Sequence, residues 1–170
     1  DTILMRQKPT GTLVVDALTP AKRLWMIATG TGIAPFASLI RDPETYEKFE
    51  EIVLTNTCRD VADLAYGDQL VAAAKDDPLI GEFTEGRLRY VACTTRQDSP
   101  TTGRITARIA DGSLFRNLGV EPFDPATDRV MICGSMEMLK DVKVLVEQAG
   151  LEEGSVSAPG QFVVERAFVG

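Results

Sequence analysis

The stretch Ala28-Thr29-Gly30-Thr31-Gly32-Ile33-Ala34-Pro35 decides how this chain is to be read. It grows out of Leu24 to Ala28 (LWMIA), a continuous apolar run of the kind that forms a strand buried on both faces. It leads into a helix expected from about Pro35, since a proline at the first helical position forfeits no hydrogen bond. Two glycines let the backbone turn sharply and come close to a ligand with no Cβ in the way. Free N–H groups at such a helix start favour a pyrophosphate. The same turn would also serve as a tight connection that binds nothing. Its place at the carboxyl end of the first parallel strand favours binding. Pro35 stands where the Rossmann G-x-G-x-x-G would have its third glycine, and no Gly-Lys-Ser/Thr follows, so neither that fingerprint nor a P-loop is present.

Outward from this turn, apolar runs alternate with helical patterns. Ile52 to Thr57, Leu88 to Thr94, Arg129 to Cys133 and Phe162 to Arg166 read as four further strands, and Val61 to Ala74 as a helix. After the fourth strand, Ser135 is placed to cap a helix that Gly150 ends, with Met138, Val142, Leu145, Val146 and Ala149 on one face. Strands alternating with helices predict an α/β fold, a doubly wound parallel five-stranded sheet covered on both faces. Residues 1–22 break the pattern. Thr2 to Arg6 and Leu13 to Val15 read as two strands around Lys8-Pro9-Thr10-Gly11. They are expected to be the end of a preceding β domain, with a linker near Thr19-Pro20 and a nucleotide-binding domain over residues 23–170.

Composition narrows the function. The 170 residues carry a net charge of -7 and no histidine, which disfavours nucleic acid and anionic membranes as partners and excludes imidazole catalysis. No apolar run approaches the roughly 18 residues that span a bilayer. Cys58, Cys93 and Cys133 are odd in number and never in a C-x-x-C pair. Neither a disulfide framework nor a metal site is expected, and a cytoplasmic location is.

An anionic ligand would have to meet locally gathered arginines. Arg59 and Arg96 follow the second and third strands, and Arg104 lies across a short loop in Gly103-Arg104-Ile105-Thr106. A guanidinium fork matches a phosphate, which suits the 2′-phosphate of NADP. An NAD enzyme would favour an acid at the end of the second strand, and Asp60 stands there too, one residue after Arg59. The alternative for the arginines is a solvated surface. Cys58 and Cys93 read as small buried hydrophobes. Cys133, running into Gly134-Ser135, reads equally as core or as a cofactor contact.

Taken in order, Lys8-Pro9-Thr10-Gly11-Thr12-Leu13, Ala28 to Ser38, Thr94-Thr95-Arg96, Gly103-Arg104-Ile105, Cys133-Gly134-Ser135-Met136 and Val164 to Val169 resemble the bacterial ferredoxin–NADP(+) reductase family. The resemblance covers nearly the whole chain. It implies an enzyme that passes electrons between NADP(H) and ferredoxin or flavodoxin through FAD, with this chain as the NADP(H)-binding part and residues 1–22 as the end of the FAD-binding barrel. Cofactor contacts would come from Gly30, Thr31, Gly32, Ile33, Ala34 and Pro35, with Thr31 also near the flavin. Arg59, Thr95, Arg96 and Arg104 would hold the 2′-phosphate and adenosine end. Gly134, Ser135 and Met136 would follow Cys133 beside the nicotinamide, and Glu165 would help organise hydride transfer. Ala167 aligns where plant-type relatives stack an aromatic ring on the flavin, leaving Phe168 and Val169 to shield it. The family's flavin-binding R-x-Y-S/T segment is not in this sequence, so the isolated chain is expected to bind FAD poorly and not to turn over. An NADH-dependent reductase module of an oxygenase or flavohaemoglobin shares this plan, and a non-catalytic NADP(H)-sensing domain is a further reading.

Overall fold

The computed structural model describes residues 11–167. Five strands, β1 (Arg23–Thr29), β2 (Glu51–Cys58), β3 (Leu88–Thr94), β4 (Asp128–Gly134) and β5 (Phe162–Arg166), form one parallel sheet in the order β3-β2-β1-β4-β5. The helices are α1 (Ala34–Leu39), α2 (Pro43–Lys48), α3 (Ala65–Asp76), α4 (Gly81–Thr84), α5 (Ile105–Ala110), α6 (Ser113–Leu118) and α7 (Met136–Gln148). The expected doubly wound α/β sheet is what forms.

Side-chain alternation along β1 divides the core in two. Leu24, Met26 and Ala28 face a cluster with Phe36, Tyr46 and Val71 from α1, α2 and α3. Trp25 and Ile27 face another with Ile109, Phe115 and Val142 from α5, α6 and α7. In that second layer Trp25, Phe115 and Phe123 meet edge to face, with centroids 4.9–5.6 Å apart. The apolar stripe of α7 faces it as the periodicity predicts, joined by Leu139. Ser135 Oγ accepts from the Met138 N–H (3.3 Å). The helix ends in a Schellman turn: Leu151 N–H donates to Val146 O, Gly150 N–H to Glu147 O, and Gly150 has φ +95°.

Three expectations shift, one of them the helix expected over Val61 to Ala74, which is a 3-10 turn, Val61–Leu64, followed by α3. Leu13 to Val15 is not a strand; the chain there runs into a 3-10 turn, Val15–Ala17. Among the described residues no strand offers the segment a ladder, so its polar groups bond locally or to a distant loop. Thr19 N–H donates to Gly160 O, Gly160 N–H to Ala17 O, and the Lys48 ammonium to Val15 O. Leu13, Val15, Ala17 and Leu18 are buried in the first core layer. The expected strand Thr2 to Arg6 lies outside the described residues. Third, α1 begins at Ala34, one residue before Pro35, after a 3-10 turn, Gly30–Ile33, that takes up the glycine stretch.

At the amino edge of the sheet, at the end opposite the carboxyl ends of the strands, Asp128 is 1% exposed. It accepts from the Trp25 indole (2.7 Å), the Arg23 guanidinium (3.2 Å) and the Asp124 N–H (2.9 Å). Arg23 also donates to Glu51 (2.8 Å). Breaking such a buried pair from one side strands the remaining charge and costs about 3–5 kcal/mol. Asp128→Ala should therefore lower the stability from urea unfolding by about that amount, whereas Lys143→Ala, which breaks only exposed pairs, should cost less than ~1 kcal/mol.

Candidate functional site

In a parallel sheet, ligands bind beyond the carboxyl ends of the strands, at the point where the connections change direction. Here that point lies between β1, which leads to β2, and β4 on its other side. A cleft of about 780 Å³ opens there.

Its floor is made by two turns packed against one another. A Cβ on Gly32 would sit 2.2 Å from Cys133 O, and one on Gly134 would sit 2.2 Å from Thr29 Oγ1. Gly32, which meets backbone, is therefore demanded by the contact between the turn after β1 and the turn after β4, whereas Gly134 packs on the side chains of Thr29 and Met138. Gly30 differs. It has φ +53° and nothing within 4 Å of where a Cβ would be, so its backbone is bare toward the cleft.

The cleft gathers Gly30, Thr31 and Ile33 from the first turn, Arg59 from the end of β2, Thr95 from the end of β3 and Arg104 from the start of α5. Ser135, before α7, and Ala167, beyond β5, also line it. Ala167 is fastened there by its N–H to Gly134 O (3.0 Å). Gly32, Ala34, Pro35, Arg96, Gly134 and Met136 do not line it. Gly32 and Gly134 lie beneath it, and Arg96 is exposed on the loop whose N–H donates to Arg59 O (3.0 Å). Phe168 and Val169, like Lys8, Pro9 and Thr10, lie outside the described residues.

Cys133 is fully buried, shares a core layer with Met26 and Phe36, and lies in register beside Glu165. Burial pushes its thiol up to about 11, with the Glu165 carboxylate adding to the rise. Cys58 and Cys93 are buried as expected, and Cys58 also reaches the cleft wall. The Glu165 carboxylate is held from the upstream segment: Thr12 N–H donates to it (2.7 Å), as does the Thr12 hydroxyl (3.3 Å), which also donates to Val164 O (2.8 Å).

The charges at the mouth are asymmetric. Asp60 and Asp63 form a reciprocal capping box on the 3-10 turn Val61–Leu64, so both carboxylates are engaged by backbone N–H groups. Asp60 thus caps the turn that follows β2 while remaining exposed to solvent. Arg104 pairs with Glu137 across the cleft at 3.4 Å, but the two side chains are 72% and 75% exposed. So solvated a pair is worth ~0–1 kcal/mol and yields readily to a phosphate. Sequence reasoning missed Tyr66, Asp63, Glu137 and Asp141, which also line the cleft. Their shared signal is placement in the first turns that follow β2 and β4, at the ligand edge.

The model for the oxidoreductase NAD-binding domain matches residues 26–144. This chain belongs to that family. The resemblance drawn from its motifs is borne out by named relatives. This NAD-binding domain is 56% identical over 168 residues to the flavodoxin/ferredoxin–NADP reductase of Rhodobacter capsulatus, covering 99% of the chain and 62% of the relative. It is 49% identical to ferredoxin–NADP reductase A of Sorangium cellulosum, covering 100% and 61%. It superposes with a TM-score of 0.80 on a ferredoxin NADP+ reductase from Neisseria gonorrhoeae with bound FAD and NADP, at 30% identity, covering 94% of this chain and 61% of that one. The domain thus spans about three-fifths of the length of these relatives.

Two outcomes test the geometry. Gly32→Ala should force the two turns apart and weaken nucleotide binding at least tenfold in a calorimetric titration, because backbone cannot yield as a side chain would. In the native protein at pH 8, well below its raised thiol value, Cys133 should resist Ellman's reagent and react only after unfolding.

Proposed function

We propose that this chain is the NADP(H)-binding part of an FAD-dependent reductase that exchanges electrons between NADP(H) and ferredoxin or flavodoxin. The names of the relatives support this reading. The observation that carries the nucleotide choice is the disposition of charge at the cleft. Asp60 and Asp63 are taken up in mutual capping, while Arg59 and the loosely held Arg104 line the opening. The two arginines thus present at the opening donors suited to a 2′-phosphate. This argues against the NADH-dependent alternative.

The residues present fit a dinucleotide. From β3 to β5 the strand ends cross four spacings, roughly 19 Å, room for an extended ligand. Arg59, Thr95 and Arg104, with Arg96 on the adjoining loop, take the phosphate end. The bare backbone of Gly30, with Thr31 and Ser135, takes the middle. Toward the flavin this chain offers Thr31 and Ala167, with Phe168 and Val169 following. When bound, NADP(H) and FAD supply the hydride exchange itself, and the protein's part is to hold them together and exclude water. Cys133 keeps its proton across the physiological range, so its buried side chain adds no charge beneath the cleft floor. Glu165 is held in place by Thr12.

Residues 1–22 as the end of a flavin-binding barrel belong to the same reading. Arg129 fixes the junction by donating to Thr19 O (2.9 Å), Thr19 Oγ1 (3.0 Å) and Pro20 O (3.3 Å). The three free, buried cysteines accord with a reducing cytoplasm. Among the described residues no helix is long and apolar enough to cross a membrane.

The reading is tested in the full-length protein by replacing Arg96 and Arg104 with alanine. The affinity for NADPH should fall more than tenfold, and that for NADH should stay within about twofold, since each lost charged contact removes ~1.5–3 kcal/mol from the phosphate alone. An unchanged ratio would remove the 2′-phosphate assignment. A full-length wild-type protein that binds NADPH but passes no electrons to ferredoxin or flavodoxin would favour a sensing role instead.

A further inference from the structure

Three buried or half-buried arginines show how this protein normally treats a guanidinium. Arg129 spends all three of its nitrogens on the oxygens of Thr19, Pro20, Pro125 and Asp128. Arg87 donates to the carbonyls of Tyr46, Phe49 and Glu50. Arg23 lies between Glu51 and Asp128. Each is a clamp whose donors are used.

Arg108, on α5, is different. It is 8% exposed, yet only one nitrogen finds a partner, a long 3.4 Å bond from Nη1 to Thr102 O. Its Nε and Nη2 are buried without any acceptor. Among the described residues it makes no ion pair. The carboxylate that senses it, Asp111, is itself held by the Ser113 N–H (2.8 Å) and lies closer in effect to Arg116. A buried charge without a counter-ion is costly to keep and contributes little to folding.

Its position says what the charge serves. Thr102 and Gly103 belong to the loop between β3 and α5, which carries Thr95, Arg96 and Arg104. A Cβ on Gly103 would lie 3.9 Å from Arg108 Cγ. The loop is stitched to the end of β3 by Gly103 N–H to Thr94 O (2.9 Å) and Thr94 N–H to Thr101 O (3.1 Å). On the same side of the sheet lies Thr57, which lines the cleft and whose buried hydroxyl is also without a partner. Arg108 therefore stands beneath the loop that carries Thr95, Arg96 and Arg104.

We propose that Arg108 is a specificity-determining residue, an uncompensated buried charge that favours a 2′-phosphate over a 2′-hydroxyl without touching the nucleotide. The inference rests on the NADP(H) reading above and deepens it. Arg59, Arg96 and Arg104 are exposed and their attraction is screened by salt, whereas the field of a desolvated guanidinium is screened much less. In an acidic chain of net charge -7 that inner charge offsets a general repulsion of the dinucleotide.

The test uses the full-length protein and two probes, 2′-phospho-AMP and 5′-AMP, titrated by calorimetry at low and high salt. Arg108→Met, which keeps the length and removes the charge, should weaken 2′-phospho-AMP roughly five- to tenfold, leave 5′-AMP unchanged and leave most of the loss in place at high salt. Arg108→Lys should restore most of the preference. If Arg108→Met does not fold, Arg108→Gln is read in the same way against Arg108→Lys. Equal losses for both probes, a lysine variant no better than methionine, or no loss at all would each overturn the proposal. A wild-type protein that does not distinguish the probes would overturn the 2′-phosphate reading itself, and the assignment of Arg108 with it.

Discussion

The contact between two glycine turns is the constraint on which the rest of the site depends. Gly32 lies so close to the Cys133 carbonyl that no side chain fits there, and Gly134 packs against the side chains of Thr29 and Met138. This contact brings the ends of β1 and β4 together where the sheet changes direction. Everything above it inherits its position: the bare backbone at Gly30, the cap at Ser135, and Ala167, whose N–H is bound to Gly134 O. The longer helix dipole at the cleft is that of α7, with thirteen residues, and not the six-residue helix that follows the glycine stretch.

Charge is arranged by subtraction. The chain is acidic overall, and four carboxylates stand around the cleft or at its mouth. Asp60 and Asp63 satisfy one another's backbone N–H groups, and Glu137 holds Arg104 only through solvent-exposed contact. The positive groups are left available, and one of them, Arg108, is buried with most of its donors unused. With Arg59 and Arg104 at its opening, the cleft offers a polyanion local positive charge that the net charge of the chain does not.

The upstream segment is closely joined to this site. Leu13, Val15, Ala17 and Leu18 are core residues, Arg129 grips Thr19 and Pro20, and Thr12 reaches Glu165 at the far end of β5. Gly154 and Gly160 approach so nearly that a Cβ on Gly154 would meet Gly160 N at 2.2 Å, which lets the segment pass alongside β5.

Local signals were enough for the five strands, the cap and stop of α7 and the turn after β1, because periodicity, capping and glycine tolerance act over a few residues. They were also enough to place Arg59, Thr95 and Arg104 at the ligand edge, since any residue just beyond a parallel strand lands there. What the tertiary structure alone decided involves partners far apart in sequence. Leu13 to Val15 has strand-like residues, but no ladder was available to it among the described residues, so it turned and buried its side chains instead. Asp60 stands just after β2 as its position implied, and the fold pairs its N–H with the Asp63 carboxylate to cap the turn that follows. Cys133 could be read either as core or as a cleft residue, and packing put its side chain in the core with its carbonyl against Gly32. Arg108 carried no mark in the sequence at all, because a missing counter-ion is a property of the fold around a residue and not of its neighbours in the chain.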